Sequence, residues 1–224
     1  MEGHIYKAFD AELKELKESL LYEGGLVENS IRWAIKALLE RNSAMSQEVI
    51  KNDEIINAKE VEIDEFCLKL LALRQPAAKD LRFITTAIKI NYDLERIGDM
   101  AVNICERVLE LNQEPQLKPY IDLPRMAETV ELMVKESLDA FVREDVELAL
   151  KVTKEDEKVD QYLDQIFREL LTYMIENPKT ISRATRILFI AKYLERMADH
   201  AVNIAELVIF MVEGKIIRHT KIKE

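Results

Sequence analysis

The chain has 224 residues, 48% hydrophobic and 33% charged, with 32 Lys and Arg against 42 Asp and Glu for a net charge of −10. So acidic a balance lacks the basic face that nucleic-acid binding demands, which excludes direct binding to DNA or RNA. No apolar run reaches the roughly eighteen residues of a membrane span, and Met1-Glu-Gly-His-Ile-Tyr-Lys7 lacks the apolar stretch of a signal peptide, so a cytoplasmic protein is expected.

Apolar residues recur at helical spacing from about 5 to 41: Ile5, Phe9, Leu13, Leu16 and Leu20, then Leu26, Val27, Ile31, Ala34, Ile35 and Leu38. Gly24-Gly25 interrupts them. Each glycine weakens a helix by about 1 kcal/mol relative to alanine, so a bend or a close helix approach is expected there. Arg41-Asn42-Ser43 reads as a turn with Ser43 as N-cap. A second helix is expected from about 44 to 73, broken near Asn52, and a third from about 77 to 111. Gln75-Pro76 forms the corner between them, because proline restricts the residue before it yet suits the first turn of a helix.

Residues 114–124 hold Pro115, Pro119 and Pro124 without periodicity and read as a linker. Helical spacing resumes at 125–142, 145–175 and, after the corner Asn177-Pro178, 181–212, with Gly214 as the stop. The expected fold is all-α: a first three-helix bundle over 1–113, linker 114–124, a second bundle over 125–213, and a basic tail over 214–224. Cys67 and Cys105 lie on apolar stripes and read as core thiols.

The two bundles are tied by a repeat. Asp93-Leu-Glu-Arg-Ile-Gly-Asp-Met-Ala-Val-Asn-Ile-Cys-Glu106 returns 100 residues later as Tyr193-Leu-Glu-Arg-Met-Ala-Asp-His-Ala-Val-Asn-Ile-Ala-Glu206. Glu95, Asp99 and Asn103, and again Glu195, Asp199 and Asn203, therefore stack on one helix face. Two carboxylates four residues apart repel by a few tenths of a kcal/mol, and within apolar sequence the cost grows. A metal cation, an arginine or a proton could offset it.

In an antiparallel helix pair, residues at one height have numbers that sum to a constant, since both helices rise about 1.5 Å per residue from the same corner. Counting from Pro76 sets Asp53 and Asn57 beside Asp99 and Glu95; counting from Asn177-Pro178 sets Asp156 and Asp160 beside Asp199 and Glu195. Each set suits a hard cation with oxygen ligands. The alternative is purely structural: Asp53 and Asp156 cap helices or face water, while Arg96 and Arg196 neutralise the glutamates. His200 points about 100° away from Asp199 around the helix and reads as an outward or interface residue, and His4 and His219 are terminal. Without Cys or His, zinc is disfavoured, and the Glu-x-x-His pattern of di-iron enzymes is missing. Iron, manganese, magnesium and calcium stay open.

The paired Leu-Glu-Arg-x-x-Asp helices, the acid motif on the preceding helix, Asp80-Leu-Arg82 and the proline corners together resemble the PhoU family of phosphate-uptake regulators. The resemblance implies two three-helix bundles carrying multinuclear metal clusters, iron in particular. The first would use Asp53, Asn57, Glu95 and Asp99 with Asn103 nearby; the second would use Asp156, Asp160, Glu195 and Asp199 with Asn203 nearby. Asn57 departs from the acidic pattern, as do Tyr193 opposite Asp93 and Ser182 opposite Arg82. The resemblance further implies a non-enzymatic regulator of phosphate uptake and the phosphate-starvation response, an adaptor between the ATPase subunit of the phosphate ABC transporter and a membrane sensor histidine kinase. A homodimer is expected. The alternative in another class is a carboxylate-bridged multinuclear metal enzyme, an oxidase or phosphohydrolase, though no nucleophile–base pair or Gly-rich phosphate loop supports it.

Overall fold

The computed structural model describes residues 2–76 and 78–214, with side chains from position 8 onward. Six helices follow in order: α1 Glu2–Glu40, α2 Ser43–Arg74, α3 Ala78–Leu111, α4 Asp122–Arg143, α5 Val146–Glu176 and α6 Ile181–Glu213, with a 3-10 turn at Pro178–Thr180 before α6. No strand occurs among the described residues, and none of these helices is long and apolar enough to cross a membrane. Of the basic tail only Gly214 is described, as the C-cap of α6; residues 215–224 and the side chain of His4 lie outside the described residues.

The repeat extends to the turns. Arg41 (φ 52°) and Glu144 (φ 54°) both take the left-handed conformation at the ends of α1 and α4. Each is followed by an extended N-cap: Asn42 Oδ1 accepts from the Met45 amide at 3.1 Å, and Asp145 Oδ1 from the Leu148 amide at 3.0 Å. The cap of α2 is thus Asn42 rather than the expected Ser43, which is already helical. An N-cap needs an extended backbone and a side-chain oxygen reaching the third amide, and position 42 has both.

Of the two expectations at Gly24-Gly25, the close approach holds and the bend does not: α1 runs unbroken, and a Cβ at Gly24 would collide with the Leu138 side chain of α4. Two other expectations change. α2 continues through Asn52 without a break. α4 starts at Asp122 instead of Arg125, and Pro124 sits in its first turn, where a missing amide hydrogen costs nothing.

α1, α3, α4 and α6 form the centre of the molecule. α2 packs on α1 and α3, and α5 on α4 and α6, as outer helices. α3 and α6 run antiparallel along their length, since Arg82 Nε donates to the Met211 carbonyl at 3.3 Å and Arg186 Nε to Glu110 Oε2 at 2.5 Å. Ile90, Leu94 and Ile97 of α3 and Ile190, Leu194 and Met197 of α6 are fully buried in one apolar core shared by both halves. Phe83 stacks on Phe141 of α4 with ring centroids 5.1 Å apart. The connection between bundles is pinned from both sides: Arg41 donates to the carbonyls of Leu111 (3.2 Å), Asn112 (3.1 Å) and Glu114 (2.5 Å), and Arg183 to that of Pro115 (2.8 Å).

The two glycines of α1 should answer differently to substitution. Nothing lies within 4 Å of a Cβ built at Gly25, so Gly25→Ala should stabilise the protein by about 1 kcal/mol through helix propensity. Gly24→Ala should fall short of that gain and recover it when Leu138 is shortened to alanine in the same chain. Urea unfolding of the single and double variants measures both effects.

Candidate metal centres

Helical spacing and the corners bring α2 beside α3 and α5 beside α6 at the heights counted from the prolines. In the first half, the Asp53 carboxylate lies against the α3 backbone at Gly98, where an added Cβ would stand 3.3 Å from Asp53 Oδ1. Asp53 Oδ2 accepts from Asn57 Nδ2 at 3.1 Å, while Oδ1 is buried without a partner. Burial pushes the Asp53 carboxyl up; the Asn57 hydrogen bond opposes this, and Asp99 adds to it. Glu95 is likewise raised, first by burial and then by Asp99. Arg96 Nη1 donates to Asp99 Oδ2 at 2.7 Å, and its charge also opposes the rise of the adjacent Glu95. Asn103 Nδ2 donates to the Asp99 carbonyl at 2.9 Å, along its own helix.

The second half has the same arrangement with more charge. Asp156 is half-buried, its Oδ1 has no partner, and its carboxyl is pushed up to about 6 by burial, then by Asp199, Asp160 and Glu195. Asp199 is raised by burial of its carboxyl and by Glu195 and Asp160, with His200 and Lys192 opposing. Lys192 Nζ donates to Glu195 Oε1 at 2.8 Å. Asp160 and Arg196 are exposed, and Asn203 is half-buried one turn beyond Asp199. His200 turns away from the acids, and its Nδ1 lies 2.7 Å from Oδ1 of buried Asp93, joining α6 to α3. It is an interface residue between the halves.

The structure therefore brings Asp53, Glu95 and Asp99 into electrostatic contact, and Asp156, Asp160, Glu195 and Asp199 likewise. Donors are oxygen only, and one aspartate oxygen per cluster is buried and orphaned at equivalent places. Such an atom invites a cation, a proton or water. Among the described residues no three Asp, Glu, His or Cys side chains already converge on one point. The clusters are open: Asn57 and Asp160 are exposed, and Asp199 is exposed as a residue although its carboxyl is partly desolvated. Sequence reasoning missed Glu60, whose charge also raises Glu95, and Glu23 of α1, which is fully buried. Glu23 was legible in principle, since it stands three residues after Leu20 and four before Val27 on the apolar stripe.

Asp156 makes a prediction about pH. An acid whose folded pKa (about 6) exceeds its unfolded value (3.8) destabilises the fold above the folded pKa, and the cost disappears as pH falls toward the unfolded value. Two units correspond to about 3 kcal/mol, reduced to about 1 kcal/mol by solvent screening of a half-exposed group. In chelator, Asp156→Asn should be about 1 kcal/mol more stable than the parent at pH 7.5 and equal to it near pH 4, read by denaturant unfolding at both pH values.

The chain matches the PhoU domain twice, at residues 22–108 and 123–208. It is 44% identical over 98% of its length to the phosphate-specific transport system accessory protein PhoU homolog of Pseudomonas putida, covering 86% of that protein. It is 38% identical over 98% of its length to the PhoU accessory protein of Escherichia coli, covering 91% of that one. The crystal structure of PhoU from Pseudomonas aeruginosa superposes with a TM-score of 0.88 at 45% identity, over 92% of this chain and 100% of that one. The phosphate transport system regulatory protein PhoU from Streptococcus pneumoniae gives 0.88 at 34% identity, over 93% and 98%. With the repeat, the six-helix architecture and these relatives in agreement, the chain belongs to the PhoU family.

Proposed function

We propose that this protein is a non-enzymatic, metal-binding regulator of phosphate uptake and of the phosphate-starvation response. Its family and its relatives' names as accessory proteins of phosphate-specific transport support the regulatory part. The metal part rests on one observation: two equivalent acid clusters, each with a buried aspartate oxygen lacking a partner, Asp53 Oδ1 and Asp156 Oδ1. Asp53, Asn57, Glu95 and Asp99 would hold the first cluster, and Asp156, Asp160, Glu195 and Asp199 the second. Iron is the first choice by family resemblance, with manganese, magnesium or calcium as alternatives that oxygen donors also accept. A bound cation would supply the positive charge that offsets the facing carboxylates of Asp53, Glu95 and Asp99 in one half and of Asp156, Asp160, Glu195 and Asp199 in the other. This chain's own part is to hold those acids at one height on stiff helices, with Arg96 and Lys192 trimming the excess charge.

The regulator would act in the cytoplasm as an adaptor between the transporter's ATPase subunit and the membrane sensor histidine kinase. Exposed Leu68, Leu73, Phe167, Leu171 and Ile175 on the outer helices leave apolar surface that supports association, including the expected homodimer.

Protein purified without chelator should contain metal, and Glu95→Ala combined with Glu195→Ala should remove most of it while the chain stays helical. Metal content unchanged by the double substitution would show the ligand assignment to be wrong. Adding the cation to stripped protein should raise its melting temperature, since a ligand at about 100 times its Kd contributes about 2.7 kcal/mol to the folded state. The adaptor role predicts capture of the ATPase subunit or the sensor kinase under phosphate-replete conditions, and it fails if neither is captured. Sedimentation of the purified chain tests the dimer.

A further inference from the structure

The two halves differ sharply at one level. The turns of the repeat relate α1 and α2 to α4 and α5 by 103 residues, and α3 to α6 by 100, so Glu23, Glu60, Asp64 and Asn91 correspond to Met126, Leu163, Phe167 and Ala191. Four polar residues in the first half face four apolar ones in the second. Met126 and Ala191 are fully buried core residues, and so are Glu23 and Asn91, each with no solvent exposure.

These four residues share a height in the first bundle. Arg74 grips Glu12 through two hydrogen bonds of 2.7 Å, setting the register of α1 against α2 and bringing Glu23 opposite residues 60–64. Asn91 of α3 reaches the same place, its Nδ2 donating to the Glu60 carbonyl and to Asp64 Oδ1, both at 2.9 Å. Those two bonds orient the amide and leave Asn91 Oδ1 buried without a partner. Both oxygens of Glu23 are buried and unpartnered as well. The ammonium of nearby Lys59 is turned to Glu62 at 2.7 Å instead.

Three buried acceptor atoms with no donor among them need something positive. A proton on Glu23 turns one of its oxygens into an O–H donor, which can serve one further acceptor and leaves at least one of the three without a partner. Native interiors seldom tolerate several orphaned acceptors at one level, because each costs about 1–3 kcal/mol. The geometry points to a cation site of its own, confined to the first half, in which Glu23, Glu60, Asp64 and Asn91 bind a hard divalent cation through oxygen atoms alone. Neighbouring charge is mostly negative: burial and then Glu60 hold the Glu23 carboxyl up at about 9, Lys59 opposes them, and Asp64 and Glu95 add to the rise. Glu60 and Asp64 stand within electrostatic reach of Glu23 rather than in a closed shell, so uptake requires the half-buried Glu60 to rotate inward. Glu23 and Asn91 belong to neither acid cluster, although Glu60 also acts on Glu95 of the first.

The test is a Mn2+ titration of the full chain after chelator treatment, with bound and free ion separated by electron paramagnetic resonance. Glu23→Gln, which keeps the shape and removes the charge, should lose one Mn2+ equivalent or weaken it at least tenfold. Glu23→Met, which copies the second half, should abolish it. Asp99→Asn with Asp199→Asn should retain that equivalent while losing others, so failure of the acid clusters and failure of this site read differently. Circular dichroism in chelator checks that each variant is folded, with Glu23→Gln at least as stable as the parent. If folded Glu23→Gln binds Mn2+ with the parent's stoichiometry and affinity, the proposal is wrong and Glu23 is a protonated core acid.

Discussion

The antiparallel packing of α3 on α6 is the contact on which the molecule rests. Each of these helices is the third of its own bundle, and each carries both the acid motif and the apolar face that meets its counterpart. Because Ile97 and Met197 are both buried in that shared face, the motif helices cannot slide or turn without exposing a core common to both halves. The acids therefore sit on rigid elements, on the side of α3 and α6 that looks outward to α2 and α5. Asp93 and His200 add a polar bond at this interface, and the repeat supplies it once, since the corresponding positions hold Tyr193 and Met100.

Burial of charge distinguishes the halves. The second half concentrates carboxylates at a single level, where Asp156 meets three others and feels the largest consequence. The first half gives up one acid at Asn57, whose amide becomes a donor to Asp53, but it carries further acidic groups deeper in the bundle at Glu23, Glu60 and Asp64. Duplication produced two copies of a scaffold, and subsequent change distributed their negative charge differently.

Much of this was legible from local patterns. Helix positions followed from the 3.6-residue period, and the heights of the acids from counting out of the Pro76 and Pro178 corners, because helix rise is nearly invariant. Other features needed neighbours. The Gly24-Gly25 pair could mean a bend or a close approach, and the choice lay with Leu138, more than a hundred residues away. The connecting segment reads as a linker from its prolines, and Arg41 and Arg183 fasten it, which no local pattern reveals because it does not say where a distant guanidinium will land. Arg96 likewise follows Glu95 in sequence but gives its hydrogen bond to Asp99, because a helix sets side chains three apart beside each other and adjacent ones apart.

By itself the sequence determined the all-α class, the twofold repeat and the level at which acidic residues meet, since these depend on helix geometry and short corners. Tertiary structure decided which of those charges lose their water. Asp53 and Asp156 keep one oxygen each without a partner, and Glu23 keeps two, because desolvation depends on what packs around a group from remote parts of the chain. Periodicity can place a carboxylate on a face. Only the assembled neighbours determine whether that face leaves it without a partner.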